Sequence, residues 1–352
     1  MHMQSSTSYR HATRGKAGIA ARIAQMRRSV VSDRARFFAF VGFALLVAFT
    51  GGGSRADIAS LLILRPLSIL FAAYAFLTVS RADLARVRVP LAIVAGLMIL
   101  CALQLVPLPP AWWSALPGRG VAVDAAAALG LDPVWRPLSL APSRTWNTLF
   151  SLFVPLAAIL FISGFGSDTR RMVMPVLLGI ALLSSLVAIL QIAGMTPLYL
   201  YEITNRGYPV GLFSNRNHQA VLLAWSLPAI AFFVAGYTGD RNPRFVLATA
   251  VILMLLVMVM VVLTGSRAGL AITVAAGLAA CFILYRSKPG REIVQGLGKG
   301  AKWLPVAAAG LLALPIAGLL FALFGSARET AFSRLFELQD VEEARWQYLP
   351  LL

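Results

Sequence analysis

Two short polar segments interrupt the long apolar stretches of this chain, and both carry arginine. Segment one runs from Arg206 to Ala220 and reads Arg-Gly-Tyr-Pro-Val-Gly-Leu-Phe-Ser-Asn-Arg-Asn-His-Gln-Ala; segment two, Thr264 to Ala268, reads Thr-Gly-Ser-Arg-Ala. A charge at the edge of a bilayer is costly, so it commonly marks a functional site. The guanidinium group matches phosphate oxygens and stays charged at physiological pH. The two segments therefore predict an anion-binding site, provided that they lie on the same side of a membrane.

Three arginines of these segments are the first candidates for phosphate contacts. Arg267 lies in a hairpin of only a few residues, which is too tight for a merely solvated loop. For Arg206 the alternative is an interfacial side chain that reaches for the headgroups. Arg216 is part of a turn that reads equally well as a helix cap. Arg65, at the outer end of another apolar run, is a secondary candidate.

Small polar residues beside these arginines are predicted to support the site by capping helices. Ser214, Asn215 and Asn217 precede an apolar span, and any of them could accept hydrogen bonds from its first N–H groups. We assign Ser266, which precedes Arg267, to the same supporting role. Capping is the expected role rather than direct ligation, and a helix N-terminus adds positive potential for an anion.

Two residues are candidates for a catalytic base. His218 lies on the first turn of a predicted membrane helix, where a hydrogen-bonded structural histidine is the alternative. Glu202 is the sole acid in its loop, and its alternative role is a salt bridge to Arg206, four residues later. The three histidines show no zinc-ligand spacing, and phosphate-loop and Gly-x-Ser-x-Gly motifs are absent. The sequence therefore predicts neither a metal nor another cofactor.

The composition predicts an integral membrane protein of the all-α class. The chain has 352 residues, of which 59% are hydrophobic and 13% charged, and a membrane helix needs about 20 apolar residues. We predict a basic, disordered cytoplasmic tail (1–36), a polytopic helical bundle (37–324) with an outer loop (107–146), and the start of a periplasmic loop (325–352). The nine predicted spans are 37–51, 60–79, 90–106, 147–165, 173–193, 218–237, 245–264, 268–285 and 303–324.

The distribution of basic residues predicts the orientation of this bundle. With the N-terminus inside, 20 of the 31 lysines and arginines fall in cytoplasmic segments, as the positive-inside rule requires. The basic residues are clustered between spans, so they indicate topology rather than nucleic-acid binding. Both arginine segments then face outward, and the loop tryptophans, Trp112, Trp113, Trp135 and Trp146, are predicted at headgroup level. Because the chain ends as another apolar run could begin, we expect it to be truncated.

Four motifs resemble those of the O-antigen ligase and polymerase family of polytopic membrane glycosyltransferases. Together the motifs cover most of the chain from about residue 107 onward, and their order and spacing make the resemblance specific. The motifs are Gly211-Leu-Phe-Ser-Asn-Arg-Asn-His-Gln-Ala220, Leu263-Thr-Gly-Ser-Arg-Ala-Gly-Leu270, Trp135-Arg-Pro-Leu-Ser-Leu-Ala-Pro-Ser-Arg-Thr145 and Glu343-Ala-Arg-Trp346.

The resemblance implies a metal-independent, inverting transfer at the periplasmic face of the bacterial inner membrane. The donor would be a glycan on undecaprenyl pyrophosphate, and the acceptor a hydroxyl of lipid A core or of another glycan. Arg216 and Arg267 lie inside the matched motifs and are expected to bind the pyrophosphate. The family has more spans and a periplasmic histidine, whereas this chain has no histidine after His218.

Other functions remain open at this stage. Within the family, a polysaccharide polymerase or a protein O-glycan ligase would use the same donor. From another class, a transporter or flippase for a lipid-linked sugar or small anion would also need outward arginines. The scarcity of charges deep in the spans and the lack of a visible repeat disfavour a transporter.

Overall fold

The structure is a computed structural model that describes residues 32–53, 58–130, 134–237, 243–287 and Ala317. This part of the chain is almost entirely helical. Its helices are α1 (Asp33–Thr50), α2 (Leu61–Thr78), α3 (Arg81–Arg86), α4 (Arg88–Gln104), α5 (Pro110–Ser114), α6 (Gly120–Ala128), α7 (Pro142–Ser151), α8 (Phe153–Gly164), α9 (Ser167–Ile192), α10 (Arg216–Ala235), α11 (Pro243–Thr264) and α12 (Arg267–Arg286). A 3₁₀ turn covers Thr196–Leu198, and the short strands β1 (Pro107–Leu108) and β2 (Arg136–Pro137) pair antiparallel.

Six helices of the described part are long and apolar enough to cross a membrane. They are α2, α7 and α8 taken together, α9, α10, α11 from Phe245, and α12. Their exteriors carry large apolar side chains; Leu62 and Ile252, for example, are 77% and 65% exposed. Apolar surface of this extent is typical of contact with lipid. The protein is therefore a helical, membrane-embedded protein.

The remaining three predicted spans have different outcomes. The span predicted at 37–51 forms α1, but this helix begins at Asp33 because Ser32 caps it, and its charged first turn excludes it from the six. The span predicted at 90–106 forms α4, an apolar helix of 17 residues that is shorter than the others. The ninth span, 303–324, lies outside the described residues except for Ala317, and most of the predicted tail and the segment 325–352 lie outside them as well.

The described residues group into two compact units. The first unit holds the described residues up to Gly51 and those from 58 to 173. The second unit holds Gly52, Gly53 and the described residues from Met174 onward. In the first unit Phe161 of α8 is at the centre of an aromatic cluster that includes Phe40, Phe43 and Phe71, with ring centroids 5.9 to 6.2 Å from its own. Aromatic packing therefore joins α8 to α1 and α2.

Three arginines of the first unit meet at the C-terminal end of α8. Each donates to one of the last carbonyl groups, which have no partner within the helix: Arg86 to Ser163, Arg36 to Gly164 and Arg170 to Phe165. A cation is favoured at this end by the helix dipole. In the predicted topology Arg36, Arg86 and Arg170 all fall in cytoplasmic segments, and the structure gathers them at one helix end.

The loop between α4 and α7 is folded rather than extended along a surface. Trp113 is only 4% exposed, its Nε1 donates to the carbonyl of Val134, and Arg136 lies 4.8 Å over its ring. Trp113 therefore packs inside the loop, because the β1–β2 pairing and α5 fold the loop around it, and its position at headgroup level stays a prediction. The other three loop tryptophans are exposed.

The second unit is built around α10. In the apolar stretch of α10 that is long enough to cross a membrane, 56% of the residues are buried, against 28% for α11 and for α12. The backbones of α10 and α12 approach closely at Gly269, where an added Cβ would lie 2.3 Å from the Cβ of Ala220. A side chain at position 269 would therefore force the N-terminal turns of the two helices apart.

We expect Gly269→Val to lower the stability of the second unit by about 1–3 kcal/mol, the usual cost of overpacking. Thermal unfolding in detergent, followed by tryptophan fluorescence, measures the change. The matched control is Gly179→Val, since a Cβ at Gly179 in α9 meets no atom within 4 Å. An equal effect of both substitutions would contradict the proposed contact.

Candidate anion-binding site

The two arginine segments lie together at one end of the second unit. Arg216 is the first residue of α10, and Arg267 is the first residue of α12. The Ser266 hydroxyl donates to Oδ1 of Asn217 at 2.8 Å. An added Cβ on Gly265 would lie 3.4 Å from Nη1 of Arg216. The condition for a shared anion site, that the segments lie on the same side, is therefore met.

Each helix is capped by the residue that precedes its arginine. Oδ1 of Asn215 accepts from the N–H of Asn217 at 2.8 Å, and Oγ of Ser266 accepts from the N–H of Gly269 at 2.9 Å. The Ser266 hydroxyl thus caps α12 and binds α10 at the same time. Among the three capping candidates before α10, the structure assigns the cap to Asn215. The backbone of Ser214 instead donates to Gly52 at 2.9 Å.

The two helix ends differ in the backbone donors that they leave available. On α10 the N–H of Arg216 donates to Oδ1 of Asn205 at 3.1 Å, and the next two N–H groups donate to Asn215. On α12, in contrast, the N–H groups of Arg267 and Ala268 have no acceptor among the described residues. An anion can therefore accept backbone hydrogen bonds from α12, whereas α10 contributes its dipole.

The guanidinium group of Arg216 is held by an aromatic ring. Its Cζ lies 4.1 Å from the ring centroid of Tyr208. The loop is fixed in turn by Tyr199, whose hydroxyl donates to the carbonyl of Tyr208 and accepts from the N–H of Gly207, both at 3.1 Å. Stacking occupies the face of a guanidinium and leaves its in-plane N–H groups free to bind a ligand. Arg216 is therefore positioned before any ligand arrives.

Positive charge at this end is poorly compensated by acidic residues. The described part of the second unit contains one carboxylate, Glu202, and neither Arg216 nor Arg267 forms an ion pair with the described residues. Arginine in the first turn is also disfavoured by the helix dipole. Two such arginines at neighbouring helix N-termini create a positive local field that an anion would relieve.

The salt bridge to Arg206, which was the alternative role for Glu202, is absent from the described ion pairs. Both side chains are exposed. Residues 201–204 form bends, and Gly207 has a φ of +82°, so the helical spacing that the prediction assumed is lacking. Arg206 lies on this exposed loop, close in sequence to the site.

His218 and Arg65 complete the predicted residues. His218 is the third residue of α10, is exposed, and packs edge-on to Phe213 with a centroid distance of 6.1 Å. Its imidazole accepts or donates no hydrogen bond within the described part, so it differs from the hydrogen-bonded structural histidine of the alternative interpretation. Arg65 belongs to α2 in the first unit, whereas the other candidates belong to the second.

Sequence reasoning missed the buried side chains that hold the loop before α10. Oε1 of Gln191 accepts from the N–H groups of Val210 and Gly211 at 3.0 and 2.9 Å, and its Nε2 donates to Gly211 and Leu198 at 2.9 and 3.0 Å. Ser184 adds a bond from the N–H of Leu212 at 3.1 Å. The available signal was the presence of polar residues inside an otherwise apolar span.

We expect Gln191→Leu to destabilise this loop, because two buried N–H groups and two carbonyls lose their partner, at about 1–3 kcal/mol for each unsatisfied group. Limited proteolysis between residues 196 and 214 measures the loosening. Ser185→Ala is the control, since the Ser185 hydroxyl bonds only within α9, to Ala181. If the wild type and Gln191→Leu resist proteolysis equally, the hydrogen bonds of Gln191 are not needed to hold the loop.

Comparisons with protein-family models, with curated proteins and with solved structures found no match.

Proposed function

We propose that this chain is an O-antigen ligase-like glycosyltransferase that moves a glycan from undecaprenyl pyrophosphate to lipid A core on the periplasmic face of the inner membrane. The observation that supports this most directly is the pair of capped, arginine-bearing helix N-termini, joined by the bond between Ser266 and Asn217. The motif resemblance supplies the identity of the donor and the acceptor.

The location of the site suits the headgroup of a lipid substrate. Helices α10, α11 and α12 are apolar along their length, and the arginines stand at the ends of α10 and α12. A lipid-linked diphosphate places its charge at the edge of the bilayer, beside its hydrocarbon chain. The same helices can therefore contact the polyprenyl chain while their N-termini meet the diphosphate.

In the proposed reaction the acceptor hydroxyl attacks the anomeric carbon and inverts it. The bond between that carbon and the pyrophosphate oxygen breaks, and undecaprenyl pyrophosphate leaves with the bonding electrons. Negative charge grows on the leaving group, so fixed donors stabilise the transition state more than the ground state. Arg267, with the N–H groups of residues 267 and 268, is assigned to this charge, and Arg216 supports it from the Tyr208 ring.

His218 is the better placed of the two base candidates. It lies in the same helical turn as Arg216, it is exposed, and its ring nitrogens make no hydrogen bond with the described residues. It can therefore accept the proton that the acceptor hydroxyl loses. Glu202 lies on the exposed loop, outside the capped helix ends.

We expect Arg267→Ala to lower ligation by about a hundredfold to a thousandfold, the usual cost of removing one transition-state donor. The measurement is the amount of O-antigen on lipid A core in cells that lack the chromosomal gene and express the variant at normal level. Arg267→Lys keeps the charge but loses the planar donors, so it should restore activity only partly.

Three outcomes would count against this proposal. If Arg267→Ala restores ligation fully in the deletion strain, Arg267 does not bind the pyrophosphate. Accumulation of the lipid-linked glycan on the cytoplasmic face of the deletion strain would indicate a flippase, since loss of a ligase leaves that glycan on the periplasmic face. Short, unextended glycans on lipid A core would instead indicate a polymerase.

We expect His218→Gln to reduce turnover by about a hundredfold or more, as loss of a general base commonly does, and Glu202→Gln to leave it nearly unchanged. An assay of the purified protein in detergent with the lipid-linked donor measures both. The reverse ranking of the two variants would transfer the role to Glu202.

A further inference from the structure

The C-terminal end of α8 carries a second basic site, unconnected with the proposed reaction. We propose that Arg86 and Arg170 bind the phosphate of an anionic phospholipid headgroup there. Both side chains are exposed, unlike that of Arg36, which is buried in the same cluster.

The two guanidinium groups are fixed close together by the backbone. Arg86 donates to the carbonyl of Ser163 at 3.1 Å and Arg170 to that of Phe165 at 2.8 Å. These carbonyls are two residues apart, so their oxygens lie within roughly 7 Å of each other. Each guanidinium has five N–H donors, and the carbonyl uses only part of that set. The remaining donors can converge on one phosphate.

The surrounding charge favours an anion. Arg86 is paired with Asp83. Burial acts to raise the pKa of Asp83, but hydrogen bonds from Ser80 and the guanidinium groups of Arg86 and Arg36 outweigh it, so this pKa lies below its usual range. Arg170 forms no ion pair with the described residues. Within five positions of the cluster stand seven arginines against three aspartates: Arg34, Arg36, Arg81, Arg86, Arg88, Arg170 and Arg171, with Asp33, Asp83 and Asp168.

Exposed apolar side chains close in sequence to the basic cluster favour a lipid as the source of the anion. Phe38, Leu77 and Val89 are 70%, 74% and 63% exposed and lie close in sequence to Arg36, to α3 and to Arg88. A soluble phosphate would gain nothing from them, whereas acyl chains would cover them. Basic side chains at the edge of a membrane helix attract anionic lipids by about 1 kcal/mol each.

The test compares lipids bound to the full chain after purification in detergent, by native mass spectrometry with added phosphatidylglycerol or phosphatidylcholine. We expect the wild type to retain phosphatidylglycerol in preference to phosphatidylcholine. In the double variant Arg86→Gln/Arg170→Gln, the retention of phosphatidylglycerol should fall by about tenfold, as expected for the loss of two exposed charge-assisted hydrogen bonds. Arg144→Gln is the matched control, since exposed Arg144 lies near the other end of the helix 142–164, about 30 Å away.

Because the double variant also loses two caps of α8, the wild type provides an independent test. Added salt should release phosphatidylglycerol but leave phosphatidylcholine binding unchanged, since only the first depends on charge. The proposal fails if the wild type retains both lipids equally, if a folded double variant keeps phosphatidylglycerol, or if glycerol phosphate displaces the lipid at equal concentration. None of these measurements depends on the glycosyltransferase activity.

Discussion

The close approach of α10 and α12 is the constraint on which the candidate site depends. Because Gly269 has no side chain, Ala220 can pack against its backbone. The N-terminal turns are then near enough for the Ser266 hydroxyl to reach Asn217. Helix packing thus holds together two N-termini and two arginines that would otherwise repel each other. The free energy of apolar packing maintains an electrostatic field that an anion can use.

The loop before α10 shows how a polar segment is kept at the edge of an apolar bundle. Backbone groups that leave water need partners, and the membrane supplies none. Gln191 satisfies two N–H groups and two carbonyls of this loop from within α9. Gly211, with a φ of +58°, leaves the space that Ser184 occupies. The buried contacts beneath the loop therefore determine its conformation. This conformation places the ring of Tyr208 against the guanidinium group of Arg216.

Apolar run length predicted six of the spans, because lipid imposes it directly on the sequence. The charge bias assigned Arg36, Arg86 and Arg170 to cytoplasmic segments, which stays a prediction, and the structure gathers the three at one end of α8. The choice of Asn215 as the cap could not be predicted, since its polar neighbours are equally capable in isolation. The stacking of Tyr208 on Arg216 and the hydrogen bonds of Gln191 to the loop could not be predicted either. Both are contacts between separate elements, and their geometry depends on the folded chain.

The two arginines of the site are not equivalent, although the motif resemblance treats them alike. Arg216 is fixed by Tyr208, and its own N–H is already bound to Asn205. Arg267 has neither constraint among the described residues. Ordering a free arginine costs side-chain entropy, whereas a stacked one has already lost it. Under the proposed function, Arg216 is the preorganised contact that defines where the diphosphate binds. Arg267, together with the N–H groups at the start of α12, is assigned to the charge that grows on the leaving group.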